Sequence, residues 1–283
     1  MEEVMGPVVA GKFYPDEENE LIETIEGCYT HRFGPGKVPE VSGEEEEFDG
    51  PAGLIAPHAG YRYSGPVAAQ GYSWAAELGK PKTVVVIGTN HSGLGPAASL
   101  LAEGGWATPL GTVGFAAELG EKVLESSRFL ESNRSAFARE HSIEVQLPFL
   151  QHLWGNDFSV LPICLKDQRK RVAEDLASAL RQFLAPETLL VASTDFSHYE
   201  KQAVAERKDG RAIDAILDLN PDSFYEEVRE HEISICGSGS IGVLLNIALN
   251  EGLKPVDLKY ATSGDVAGYA KEVVGYSAIG FRG

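Results

Sequence analysis

The feature that most constrains this chain is the run Thr83-Val84-Val85-Val86-Ile87, five β-branched residues in succession. Such side chains are stiff at χ1 and suit the pleated surface of a strand. A run without polar alternation belongs to a strand covered on both faces, as inside a parallel sheet. Parallel neighbours in turn require helical crossovers, and the chain supplies them. Residues 54–56 read as a strand, followed by a helix expected from Ser64-Gly65-Pro66 to about Leu78, with Pro66 at the first helical position. Residues 158–164 and 188–193 are further strands, separated by a helix from about Gln168 with Val172, Leu176, Leu180 and Phe183 at helical spacing. Asn220-Pro221 caps another helix, 241–249 is an apolar one, and 256–260 and 273–281 close the chain as strands. An amphipathic helix bearing Leu21, Ile22, Ile25 and Tyr29 comes before them all, with Cys28 packed on it. Residues 98–113, with Trp106 and Pro109, read as irregular or edge structure, and the apolar tract around Trp106 as a possible interface. The expected architecture is α/β: one domain, 1–283, with a central mixed sheet and helices on both faces. Residues 34–50, which hold Glu44 to Glu47, are expected to be an acidic solvated loop.

Charge narrows the function. Forty-two acidic against 24 basic side chains leave −18, so nucleic acid and anionic membrane surfaces are excluded as partners. The longest apolar runs are too short to span a bilayer. The opening Met1-Glu2-Glu3 lacks the basic start of a signal peptide, so a cytoplasmic location is expected. Three scattered cysteines, Cys28, Cys164 and Cys236, make no disulfide framework.

Three histidines follow three strand ends: His58 after 54–56, His91 after 83–87 and His198 after 188–193. In open α/β sheets ligands gather outside the carboxyl ends of strands, so these imidazoles can converge on one crevice. Neutral imidazole is the commonest metal ligand near neutral pH. Asp195, three residues before His198, either ligates a metal or orients an imidazole. His141 reads as a pocket wall or acid/base residue, while its neighbours Ser142 and Glu144 suit equally an N-cap and a first-turn carboxylate. His31, His152 and His231 suit surface or packing roles. Cys236 stands just before a glycine-rich helix entry, where the helix dipole favours a thiolate. The spelling Gly237-Ser238-Gly239-Ser240-Ile241-Gly242 follows no solid strand and so makes a poor dinucleotide fingerprint.

Six motifs in order, Ala10-Gly11-Lys12-Phe13-Tyr14-Pro15, Ile55-Ala56-Pro57-His58-Ala59-Gly60-Tyr61, Gly88-Thr89-Asn90-His91, Glu140-His141-Ser142-Ile143-Glu144, Ser193-Thr194-Asp195-Phe196-Ser197-His198 and Ile235-Cys236-Gly237, resemble those of the Memo family, also called AmmeMemoRadiSam system protein B. The resemblance implies a fold similar to class III extradiol dioxygenases such as the B subunit of protocatechuate 4,5-dioxygenase. It implies His58, His91 and Cys236 as metal ligands, with His198, Asp195 and His141 as catalytic or pocket residues. The dioxygenases use two histidines and a carboxylate; here a thiolate would replace the carboxylate, which favours iron or copper in the reduced state and argues against copying extradiol cleavage across. Animal Memo proteins are linked to cell motility and to a phosphotyrosine peptide. They carry Trp where this chain has Phe13, and the acid excess here opposes such a partner.

Two functions follow as expectations. The first is a metal-dependent redox protein, with Fe(II) or less readily copper, acting on an unknown small-molecule substrate. The second is a non-catalytic binding module that uses the same pocket for a small molecule or a protein partner. Whether the chain is an enzyme at all is left open by its sequence.

Overall fold

A computed structural model describes residues 4–40, 48–268 and 271–283. Of the expected acidic loop, 41–47 therefore lie outside the described residues. In chain order the strands are β1 (Val4–Met5), β2 (Ala52–Ala56), β3 (Thr83–Thr89), β4 (Ala98–Leu100), β5 (Gly105–Thr108), β6 (Gly111–Phe115), β7 (Leu130–Ser132), β8 (Ser159–Leu165), β9 (Thr188–Ser193), β10 (His198–Glu200), β11 (Lys254–Thr262) and β12 (Val273–Arg282). The helices are α1 (Glu18–Thr30), α2 (Tyr61–Ala76), α3 (Ala117–Ser126), α4 (Leu147–Trp154), α5 (Lys170–Arg181), α6 (Gln202–Leu217), α7 (Pro221–Glu230), α8 (Ser238–Glu251) and α9 (Ser263–Ala267).

The β-branched run sits at the centre of the sheet. β3 pairs parallel with β8 on one side, Val85 opposite Leu161, and with β9 on the other, Val85 opposite Leu190. β2 continues the parallel block beyond β9, and β12 then turns the sheet antiparallel, with β11 along its other edge and β10 pairing its opening residues Val273 and Val274. The sheet is therefore mixed. Val84 and Val86 pack into the core shared with α1, α2 and α4, while Val85 and Ile87 pack into the core shared with α5, α6 and α8. Strand side chains alternate between faces, so one uninterrupted apolar run serves both layers.

Two expectations change. α2 begins at Tyr61, before the Ser64-Gly65-Pro66 start, so Pro66 lies within the helix. The start is set by tertiary contacts: the Tyr61 N–H donates to the Phe13 carbonyl at 2.8 Å, and the Ser64 N–H to Gly60 at 3.1 Å. Pro66 still leaves the Arg62 carbonyl without its intrahelical donor. Trp106 offers no interface: it lies on β5, fully buried, its ring 6.2 Å from that of Phe137. The irregular stretch is three short strands, β4 to β6, at one margin of the sheet.

Candidate metal centre

β2, β3 and β9 run parallel, so their carboxyl ends open on the same side of the sheet. His58 leaves the end of β2, His91 the end of β3, and Asp195 and His198 the end of β9. The imidazoles of His58, His91 and His141 bring ligand nitrogens within 4.8 Å of one another. The rings of His58 and His91 are 5.2 Å apart and nearly perpendicular, and those of His91 and His141 stack at 4.5 Å.

Hydrogen bonds fix which nitrogen of each ring is free. Ser193 Oγ donates its single proton to the Ser142 carbonyl, which can only accept. Toward His58 Nδ1, 3.0 Å away, Ser193 must then act as acceptor. Gln146 Nε2 donates to the same oxygen at 2.8 Å and uses its other lone pair. His58 therefore carries its proton on Nδ1, and its bare Nε2 faces Cys236 Sγ at 3.2 Å. Burial, and after it the neighbouring His141, His91 and His198, hold the His58 pKa well below its ordinary value.

The same logic applies to His91. Its Nδ1 lies 3.0 Å from Glu140 Oε1, and Glu140 is fully buried. Burial works against the Glu140 charge, but the hydrogen bond from His91 and the backbone N–H groups of His91 and Ser142 outweigh it and hold the carboxyl below its usual range. An ionised carboxylate only accepts, so His91 donates through Nδ1 and keeps a lone pair on Nε2. A carboxylate behind a ligating histidine is a recurrent support of metal sites. His141 also sits beside Glu140; burial pushes it down to about 4 against the pull of that carboxylate, and Phe13 covers its ring at 4.7 Å.

Cys236 reaches the group through His58. Two donors on one ion, at about 2.0–2.1 Å for nitrogen and 2.3 Å for sulfur, stand about 3.1–3.6 Å apart between right-angle and tetrahedral geometry. The observed spacing to His58 falls in that range. The Asp195 N–H donates to the sulfur at 3.2 Å, which favours a thiolate. Cys236 keeps some surface exposed, yet its thiol sits deep enough that burial, with the charge of Asp195, pushes it up to about 12. The helix-dipole stabilisation expected at this position is thus outweighed by burial. Asp195 Oδ1 accepts the His58 N–H at 2.8 Å, and burial raises its carboxyl to about 6. His198 is half-buried; its Nδ1 donates to the Ser234 carbonyl at 2.9 Å, leaving Nε2 bare.

A family model described as Memo-like protein matches residues 6–280. The chain belongs to the Memo family. A MEMO1 family protein of Thermotoga maritima is 50% identical over 279 residues, 97% of this chain and 99% of that protein. One from Methanopyrus kandleri is 42% identical over 283 residues, 98% of each, and one from Nitrosopumilus maritimus 39% over 277 residues, 97% and 98%. In this Memo-family chain the mutually close three-histidine group shares His58 and His91 with the ligand set that the resemblance implies and differs in the third member: His141 belongs to the group, while Cys236 adjoins His58. Sequence reasoning passed over Glu140, Ser193 and Gln146, the residues that fix the tautomers. Glu140 was legible only as a carboxylate beside a histidine. Glu144 is, as expected, a first-turn carboxylate, of the short 3₁₀ helix Glu144–Gln146 that runs into α4; it also accepts the Val8 and Val9 N–H groups and the Tyr14 hydroxyl, at 2.7, 3.0 and 2.6 Å, and so anchors the segment carrying Phe13. The glycine-rich spelling holds no phosphate cradle, because Gly237 N–H already donates to Thr194 Oγ1 and Gly239 N–H to Gln168 Oε1.

Proposed function

We propose that this Memo-family protein is a cytoplasmic, metal-dependent redox protein related to the non-haem iron dioxygenases. One ion, iron(II) before copper, is held by His58, His91 and Cys236, with His141 alongside, and a small-molecule substrate binds in the same pocket. The observation that carries this reading is the pair of imidazoles whose Nδ1 protons are engaged elsewhere, His58 with its Nε2 3.2 Å from the Cys236 thiol and His91 beside it in the three-histidine group. The donor set suits a soft, reduced ion. When bound, such an ion supplies one-electron redox chemistry. The chain's own residues do the rest. Ser193 and Glu140 hold the two rings in the ligating tautomer, and Phe13 closes one side of the pocket over His141. His198 presents Nε2 to take up or release a proton, and Asp195, with its carboxyl near 6, fixes the His58 loop through the backbone. A reduced thiol suits the cytoplasm, and no helix among the described residues is long and apolar enough to cross a membrane.

Anaerobic purification, metal analysis and titration with Fe(II) and Cu(I) test the proposal. A sulfur-to-metal charge-transfer band that disappears in Cys236→Ser is expected. A metal-free protein whose spectrum ignores both ions overturns it. Metal binding without oxygen consumption on any candidate substrate would instead mark the pocket as a binding module.

A further inference from the structure

Two non-glycine residues close to the proposed centre have left-handed backbones: Tyr199, at φ 56°, directly after His198, and Glu232, at φ 47°, four residues before Cys236. Tyrosine and glutamate rarely adopt that region, and such conformations persist only where surrounding contacts over-determine them. The Tyr199 side chain does not supply those contacts, being 76% exposed. They come from its neighbours. The His198 N–H donates to Ser234 Oγ at 2.8 Å and its Nδ1 to the Ser234 carbonyl at 2.9 Å, which joins the two strained segments directly. From α6, a third element, Lys208 Nζ then donates both to Glu200 Oε1 at 2.6 Å and to the Glu232 carbonyl at 3.2 Å. One ammonium thus grips the residue following Tyr199 and the strained Glu232 itself. Lys208 and Glu200 are both largely covered, so the pair is screened less than an exposed one.

We propose that Lys208 is a positioning residue: by clamping the 198–200 and 232–236 segments it holds the His198 imidazole at a fixed distance from Cys236. The proposal rests on the metal reading for its chemical consequence and on the clamp geometry for everything else. With the ammonium removed, the strained segments relax, the His198 to Ser234 carbonyl bond opens, and the His198 Nε2 no longer has one orientation toward the pocket.

The test uses the full chain. Lys208→Met keeps the aliphatic stem and removes the donor, and Lys208→Arg restores a charged donor. In the metal-free protein, amide hydrogen exchange at His198 and Ser234 is expected to accelerate at least tenfold in Lys208→Met, with loss of the protected His198 Nδ1–H resonance in proton NMR. Amides of β3 should exchange as before, which separates local release from global unfolding, and Lys208→Arg should recover most of the protection. Unchanged exchange and an unchanged Nδ1–H signal in Lys208→Met overturn the clamp. Co(II) titration of the same proteins then addresses the metal reading separately. A thiolate-to-Co(II) band of similar intensity, with Kd weakened about three- to tenfold in Lys208→Met, supports both. No Co(II) band even in the unmodified protein, with the exchange response intact, overturns the metal reading and leaves the clamp standing.

Discussion

The ligating capacity of this site depends on hydroxyl and carboxylate partners behind the rings as much as on the rings themselves. Ser193 is the clearest case, since its one proton is committed to Ser142 and its lone pairs to His58 and Gln146. Ser193→Ala leaves His58 free to take the other tautomer, and metal affinity should fall about 10- to 100-fold, the usual cost of removing such a support; calorimetric titration with Fe(II) or Co(II) measures it. Proton release supplies a second expectation. With His141 pushed down to about 4 and His58 held well below its ordinary value, both imidazoles are already neutral above pH 6. The proton displaced by metal then comes from the Cys236 thiol, raised to about 12. Binding is favoured as pH rises, by about tenfold per unit between pH 6 and 8, and Cys236→Ser should flatten that slope. A pH-independent affinity in the unmodified protein would exclude the thiol as a ligand.

At the level of elements, the parallel strands β2, β3 and β9 bring His58, His91 and Asp195 to one side of the sheet, but the segment 140–146 completes the group. That segment lies against the end of β3 because Gly88 has no side chain: a Cβ there would collide with Ser142 Oγ and stand 2.7 Å from Ile143 Cγ1. Gly88→Ala should therefore cost about 1–3 kcal/mol in denaturant unfolding, as overpacking does, and weaken metal binding as Glu140 and His141 are displaced. Normal stability and normal metal affinity in this variant would mean that the segment moves freely. The strands themselves were legible because a buried run of β-branched residues has few other solutions; the observed β9 coincides with the expected one. The start of α2 was not, because the Ser64-Gly65-Pro66 signal is local and the contact with Phe13 is made across the fold.

Across the whole molecule, the donors near the site come from positions 58 to 236, so an unfolded chain cannot keep them together. Metal should accordingly stabilise the fold by mass action. At 100 times Kd the gain is about 2.7 kcal/mol, or roughly 5 °C in the thermal midpoint for a chain of this size, to be read by scanning calorimetry with and without Co(II). Beside a net charge of −18, the carboxylates that meet the site are buried ones, Glu140 against His91 and Asp195 against the His58 backbone N–H.

The sequence by itself determined the α/β architecture, through apolar runs whose period admits few alternatives, and the presence of histidines at three strand ends, through their spacing from those runs. It also held the ordered motifs of the Memo family. Only the tertiary structure decided that His141 joins His58 and His91, that Ser193 and Glu140 set their tautomers, and that burial holds the Cys236 thiol above its ordinary range. Those outcomes depend on contacts such as Ser193 with Ser142 and His91 with Glu140, between residues some fifty positions apart. Hydrogen-bond direction and burial exist only after such residues meet, whereas periodicity is written along the chain.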